Sequence, residues 1–351
     1  MKTIEVSTEG KYSVKIDCSW AQELELLLKG RVRAAIIVSS AMRPRLAELA
    51  SMDCEVIYFE IPDGEAGKST KSLLQLWDWL GAAGFTRSDI VIGIGGGAVT
   101  DIAGYAAATW LRGIDWIAIP TTVAGMVDAS IGGKTGINSD YGKNLIGSFH
   151  SPIAVLIDIS WLPSLSDRDF AAGLAEVVKC GFISDPEILE LVSNTTLAQL
   201  RENSQVMTEL IYRSVAVKAA VVSEDFKESF AREVLNYGHT LGHAVETHSK
   251  YSLRHGECVS IGMVYVAQLA VDLGLMKEDV RKRQIDILTQ LDLPTTYQRA
   301  AWPALLAIMS LDKKSRGKVL RFVIVSEVAK TQRLEGPDIS AMAKAYEKVS
   351  S

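Results

Sequence analysis

Short apolar runs alternate with helix-length patterned segments through the first half of the chain. Residues Ala34–Ser39, Glu55–Glu60, Ile90–Ile94, Trp116–Pro120 and Ala154–Asp158 predict strands, and Lys71–Leu80 sets Leu73, Leu74, Leu76, Trp77 and Leu80 at helical spacing. Alternation of this kind predicts a parallel sheet with helices on its faces. After Leu162-Pro163-Ser164 the pattern changes. Helical periodicity dominates from Phe170 onward, and Arg321–Val325 is the one strand-like run. The expected fold is therefore an α/β, Rossmann-like N-terminal domain over residues 1–160, then a mostly α-helical C-terminal domain over 161–351. The long apolar run Cys258–Val271, interrupted by Gln268, is too short to span a bilayer and predicts a buried helix.

Composition narrows the class. A chain of 351 residues exceeds one ordinary core, which agrees with two domains. Its 37 basic and 42 acidic residues leave a net charge of −5, so no general attraction to nucleic acid is expected. Any anionic ligand must be held by local basic groups. Cys18, Cys54, Cys180 and Cys258 are scattered without a C-x-x-C pair, which argues against disulfides or a thiolate zinc site and fits a reducing cytoplasm. Met1–Gly10 lacks an apolar signal core. The expectation is a cytoplasmic protein with neither a membrane nor a nucleic-acid partner.

Three segments carry candidate chemistry. Ile90–Gly95 runs into Gly96-Gly97 and then into a helical pattern through Asp101; glycines there let backbone approach a pyrophosphate, and a helix N-terminus offers N–H groups and a favourable dipole. A tight turn would use the same glycines. Gly67-Lys68-Ser69 and Gly133-Lys134-Thr135 end like P-loops, but Pro62 and Asp128 stand where the motif requires its first glycine. Residues 120–147 read as a ligand-facing loop rich in glycine, lysine, asparagine and threonine. Lys134 and Lys143 in it suit phosphate or carboxylate groups.

The second half is richer in metal-type ligands. Four of the five histidines fall between His239 and His255. His239 and His243, four apart in Asn236-Tyr237-Gly238-His239-Thr240-Leu241-Gly242-His243, share a helix face and can present two imidazoles to one point. With His255 and a carboxylate from elsewhere they could hold a divalent metal; buried or capping histidines with satisfied hydrogen bonds are the alternative. Glu176 and Lys179 stand three apart on an apolar helix, either as a surface ion pair or as buried charges that need partners or a metal.

Taken together, these segments resemble the 3-dehydroquinate synthase family, and the likeness runs from Pro62–Lys68 to Leu311–Gly317. The stretches Gly97–Asp101, Ala108–Arg112 and Ala301–Leu305 resemble its actinobacterial branch. The resemblance implies a lyase of the shikimate pathway to chorismate and the aromatic amino acids. Such an enzyme converts 3-deoxy-D-arabino-heptulosonate 7-phosphate to 3-dehydroquinate and phosphate. The steps are transient NAD-dependent oxidation, β-elimination of phosphate, reduction, ring opening and aldol closure. It implies NAD and one divalent metal, zinc or cobalt, per subunit, with Glu176, His239 and His255 as ligands and His243 in proton transfer. By the same resemblance Asp63, Gly64, Glu65, Lys68, Gly96, Gly97, Asp101, Thr121, Thr122 and Lys143 form the NAD site. Asp128, Lys134, Asn144, Lys179, Lys218, Arg232, Asn236 and His243 face substrate, a phosphorylated sugar acid; of these Lys134, Asn144, Lys179 and Arg232 join His243 in catalysis. Lys313 or Lys314 reaches the phosphate, and Arg112 reaches a neighbour's phosphate site, which implies a homodimer. Sister sugar-phosphate cyclases, including aminodehydroquinate synthase, and glycerol-type metal-dependent alcohol dehydrogenases are the alternatives.

Overall fold

A computed structural model describes residues 1–49, 54–227, 231–316 and 319–351, with the side chains of 47–49 and 312–316 excepted. The chain divides into two compact units: Met1–Ser164 with Lys218–Lys227, and Leu165–Val217 with Glu228–Ser351. Ten residues from the second half of the sequence thus belong with the first unit.

The first unit is built on a seven-stranded sheet. Its strands are β1 (Lys2–Ser7), β2 (Lys11–Ile16), β3 (Arg33–Ser39), β4 (Glu55–Ile61), β5 (Ile90–Gly95), β6 (Asp115–Pro120) and, after the hairpin β7 (Lys134–Ser139) and β8 (Gly142–Phe149), β9 (Ala154–Ile157). The spatial order is β1-β2-β9-β6-β5-β3-β4. All pairings are parallel except β1 with β2. Every residue of β5 and β9 is buried, as expected of strands covered on both faces. The helices α1 (Trp20–Leu28), α2 (Thr70–Ala82) and α3 (Gly97–Thr109) belong to this unit. In α2 the helical spacing buries Leu73, Leu76 and Leu80 while Leu74 is 52% exposed, and Ser69 caps its N-terminus by accepting from the Ser72 amide at 3.2 Å.

The sequence reading did not predict β1 and β2, and two further features differ from it. The segment read as a loop over 120–147 contains the β7–β8 hairpin and a π-helical turn, Gly125–Ala129. Its glycines mislead because Gly136 and Gly147 serve the hairpin itself: a Cβ on Gly136 would stand 2.7 Å from the Ile146 carbonyl oxygen across the pair. In the second half the strand at 321 extends to Glu327 (β10) and pairs with β11 (Lys330–Glu335), whose polar sequence KTQRLE hid it.

The second unit is mostly helical: α4 (Asp167–Ile183), α5 (Pro186–Ser193), α6 (Leu197–Glu202), most of α7 (Ser204–Glu224), α8 (His239–His248), α9 (His255–Asp272), α10 (Glu278–Gln290), α11 (Trp302–Arg316) and α12 (Ile339–Val349). Every residue of α4 from Phe170 to Ile183 is buried, which makes it a central helix. Residues 256–270 of α9 are buried as well.

These helices meet at glycines. A Cβ on Gly256 would overlap the Ala172 carbonyl of α4, and one on Gly262 the Gly238 carbonyl at the start of α8; one on Gly242 would press the Cys258 carbonyl at 3.0 Å. Overpacking costs about 1–3 kcal/mol where neighbours can adjust, and backbone cannot adjust cheaply. Gly256→Ala should therefore lower unfolding stability by about 3 kcal/mol or more. Gly10→Ala, where a Cβ meets nothing within 4 Å, should stay within about 0.5 kcal/mol of the parent. Urea midpoints of the two variants check this, and equal midpoints would show the crossing to be looser than described.

Candidate active site

Chain order reverses between β3 and β5, since β4 lies outward of β3 and β5 returns to its other edge. Open α/β sheets bind ligands beyond the carboxyl ends of their strands at such a point. The segments there are 62–68 after β4, Gly96-Gly97 after β5 and Thr121-Thr122 after β6. Gly93 and Gly95 answer to packing: Cβ atoms there would stand 2.8 Å from Ala103 Cβ and 2.6 Å from Val99 Cγ2 of α3. Gly96 is the N-cap of α3 and Gly97 its first residue, so the first amides of the helix have no intrahelical acceptor. Thr121 is buried, its amide bonded to the Gly95 carbonyl at 2.9 Å, and Thr122 Oγ1 accepts from the Gly125 amide at 3.0 Å.

A polar network ties the expected nucleotide and substrate residues of this unit together. The buried Lys68 ammonium pairs with Asp101 and donates to Asn144 Oδ1. Asn138 donates to Glu65 Oε1 at 2.6 Å and accepts from the Asn144 amide at 3.1 Å, while Lys143 pairs with Glu65 at 3.5 Å. Asn138 lies within the segment 120–147, but residue type alone does not single it out. Its neighbour Asn144, at φ +57, shows why: the contact needs a left-handed residue that spacing does not reveal. Asp63 and Gly64 open the short turn Gly64–Gly67. Asp128 lies in the π turn, where Lys218 pairs with its carboxylate and donates to its carbonyl at 2.5 Å. Lys134 is exposed at the start of β7. Arg112 is exposed at φ +67, directly after Leu111 at φ +49.

In the second unit Glu176 lies on α4, His239 opens α8 and His255 opens α9. One donor atom from each falls within 4.8 Å of the others, and His243 is not a member of that group. His239 Nε2 and His255 Nε2 stand 3.6 and 3.3 Å from Glu176 Oε1. Lys179 pairs with Glu176, both side chains being 2% exposed, so the surface reading of that pair does not hold. Even so, neither Glu176 oxygen has a hydrogen-bond partner. Burial pushes the Glu176 carboxyl up, but Lys179, His255 and His239 outweigh it and leave the group well below the usual range. Burial, then Lys179, holds His239 well below the usual imidazole value. His239 Nδ1 lies 3.0 Å from the Tyr237 carbonyl oxygen, which orients Nε2 toward Glu176. A buried carboxylate lacking hydrogen bonds, facing two imidazole nitrogens, fits a divalent cation with positions left for other oxygen ligands.

His243 is exposed, one turn along α8, with its ring centroid 5.2 Å from that of His239 and 5.9 Å from that of His255. Arg232 is buried and Asn236 partly exposed, both in the turn Ala231–Asn236 that leads to His239. Lys313 and Lys314 belong to α11, but their side chains lie outside the described residues. The sequence reading passed over Glu246, 6% exposed on α8, and the Arg168–Glu257 pair, which joins the first turns of α4 and α9 at 2.6 and 2.7 Å.

Residues 58–172 match the family model of the 3-dehydroquinate synthase N-terminal region, and 173–315 that of the C-terminal region. The chain belongs to the 3-dehydroquinate synthase family. It is 48% identical to the 3-dehydroquinate synthase of Mycolicibacterium gilvum, covering 99% of this chain and 98% of that one. Its identity to the Mycobacterium leprae 3-dehydroquinate synthase is 46%, with the same coverage. Among solved structures it is similar to the 2-epi-5-epi-valiolone synthase ValA of Streptomyces hygroscopicus subsp. jinggangensis 5008, solved with NAD+ and Zn2+ bound. The TM-score is 0.90 at 26% identity, over 96% of each chain. This 3-dehydroquinate synthase family member combines a mainly parallel sheet with a mostly helical second unit. Among its described residues no helix is long and apolar enough to cross a membrane.

The Lys68 network yields a test. Burial pushes the Asp101 carboxyl up, against the pull of Lys68. Lys68→Met should strand that carboxylate and cost about 3 kcal/mol, the lower end of the range for buried pairs because Asp101 keeps 18% exposure. Adding Asp101→Asn should recover much of the loss. Without the lysine, the folded form binds the Asp101 proton more tightly than the unfolded chain does. The deficit should then shrink as pH falls through the raised value. Urea titrations at several pH values measure both effects; additive losses would show the pair to be uncoupled.

Proposed function

We propose that this chain is a cytoplasmic 3-dehydroquinate synthase, converting 3-deoxy-D-arabino-heptulosonate 7-phosphate to 3-dehydroquinate and phosphate. The observation that carries the reading is Glu176: a buried carboxylate without hydrogen bonds, set against His239 and His255, in a chain 48% identical end to end to a 3-dehydroquinate synthase. Glu176, His239 and His255 would hold the divalent cation, zinc or cobalt, which polarises the hydroxyl to be oxidised. NAD would accept a hydride from the substrate and return it, and so emerge unchanged.

The residues of the chain supply the rest. Gly96, Gly97, Asp101, Thr121, Thr122 and the segment Asp63–Lys68 with Lys143 would bind NAD, the pyrophosphate against the first amides of α3. Lys134 and one of Lys313 and Lys314 meet phosphate as point charges, and Arg232 suits a carboxylate through paired hydrogen bonds. Asp128, Asn144, Lys179, Lys218 and Asn236 orient the hydroxyls. His243, exposed beside the ligands, carries the proton of the reacting hydroxyl. Arg112, exposed at a turn where it and Leu111 are both left-handed, would serve the phosphate site of a second subunit in a homodimer.

Two measurements check this. With NAD+ far below substrate, phosphate release should continue over many turnovers without NADH accumulating. NADH building up in step with product would mark a dehydrogenase of the same fold and sink the reading. After dialysis, Glu176→Gln, His239→Ala and His255→Ala should each lose bound metal, whereas His243→Ala should retain it and lose turnover. Equal metal loss from His243→Ala and His239→Ala would require the ligand set to be redrawn.

A further inference from the structure

Helix α8 carries His239, His243 and Glu246 at spacings of four and three, so all three share one face. Glu246 is 6% exposed, and a carboxylate that deep must be held by polar or charged neighbours. One neighbour stands out: His255 Nδ1 lies 3.4 Å from Glu246 Oε2, while Nε2 of the same ring lies 3.3 Å from Glu176 Oε1. The His255 ring thus bridges two carboxylates, one inside the donor group and one behind it.

His239 has the same arrangement with a different anchor. Its Nδ1 meets the Tyr237 backbone carbonyl at 3.0 Å, and its Nε2 faces Glu176. Both imidazoles therefore turn Nδ1 outward and Nε2 inward. For His239 the anchor is backbone, which no substitution at 237 removes. For His255, whose side chain is 35% exposed and correspondingly less confined, the anchor is a side chain.

We propose that Glu246 is the positioning residue of the metal ligand His255: its carboxylate accepts the Nδ1 proton and leaves the Nε2 lone pair aimed at the cation position beside Glu176. The turn that follows α8 ties down the helix end that carries Glu246. The Tyr251 amide and the Ser249 hydroxyl donate to the Glu246 carbonyl at 3.0 and 2.9 Å, holding the helix end that carries it. Glu246 touches neither substrate nor cofactor in this role; it acts through the ring.

The proposal rests on the metal-binding reading above, and the test separates the two. Co2+ affinity is measured by chelator competition on the full chain in wild type, Glu246→Ala and Glu246→Gln. The visible absorption of the bound Co2+ and the melting temperature of each metal-free protein are recorded alongside. The alanine variant should bind Co2+ about 10–100-fold more weakly, the usual effect of losing an outer partner of a ligating histidine, with an altered Co2+ spectrum. Glutamine keeps an oxygen that accepts from Nδ1–H, so it should restore most of the affinity and the parental spectrum. Metal-free glutamine variant and wild type should melt together, which removes a general packing defect as the cause. Unchanged Co2+ affinity in Glu246→Ala, or a glutamine variant as weak as the alanine one, would overturn the proposal. A wild-type protein that binds no Co2+ would overturn the metal reading and, with it, this role for Glu246.

Discussion

The donor group depends on backbone meeting backbone. Glu176, His239 and His255 come from three helices, α4, α8 and α9, and these meet with backbone directly against backbone. Gly256 against Ala172, Gly262 against Gly238, and Gly242 against Cys258 remove the Cβ atoms that would hold the helices apart. Any larger residue at these crossings would have to push backbone away. Gly238 contributes twice. It adopts φ +79 as the N-cap of α8, and a Cβ there would meet Met263 Cγ at 2.6 Å. The turn that aims His239 and the contact that seats α8 on α9 thus share one residue.

The expected site residues of the two units sit in different electrostatic surroundings. In the first, charges are matched: Lys68 with Asp101, Lys143 with Glu65, Lys218 with Asp128. In the second, two imidazoles and one lysine surround a carboxylate that no hydrogen bond satisfies. A buried carboxylate in that state costs free energy unless something else binds it. Such groups cluster where a site is shaped for a ligand in preference to stability.

Much of this was legible in the chain because burial on both faces of a parallel strand leaves an unmistakable apolar run. Ile90–Gly95 and Ala154–Ile157 show it, as does the apolar stretch that became α9. What escaped had weak local signals. Strand β11 is polar, one half of a two-stranded sheet with no fully buried residue of its own, and β7–β8 hid behind glycines that mimic a loop. In the site, residue type and spacing reached the histidines, while the choice of His255 over His243 came from family likeness. Structure supplies the geometry: His243 shares a face with His239, but the donor near Glu176 sits on a different helix. Glu246 could have been found, since its spacing from His239 and His243 continues the same stripe. Asn138 could not, because its role depends on the left-handed backbone of Asn144.

The membership of Lys218–Lys227 in the first unit has a consequence for how the chain is made. Asp128 waits for a lysine ninety positions further along, and Phe149 packs against Phe226 with ring centroids 5.2 Å apart. The sheet can be complete once Ile157 has been synthesised, yet the π turn holding Asp128 lacks its counter-charge until α7 has emerged. Domains usually finish in order from the N-terminus as synthesis proceeds; here the first must stay open while α4, α5 and α6 are laid down. No single cut yields both units intact, so a chain interrupted anywhere between 165 and 217 releases the sheet without the lysine that pairs with Asp128.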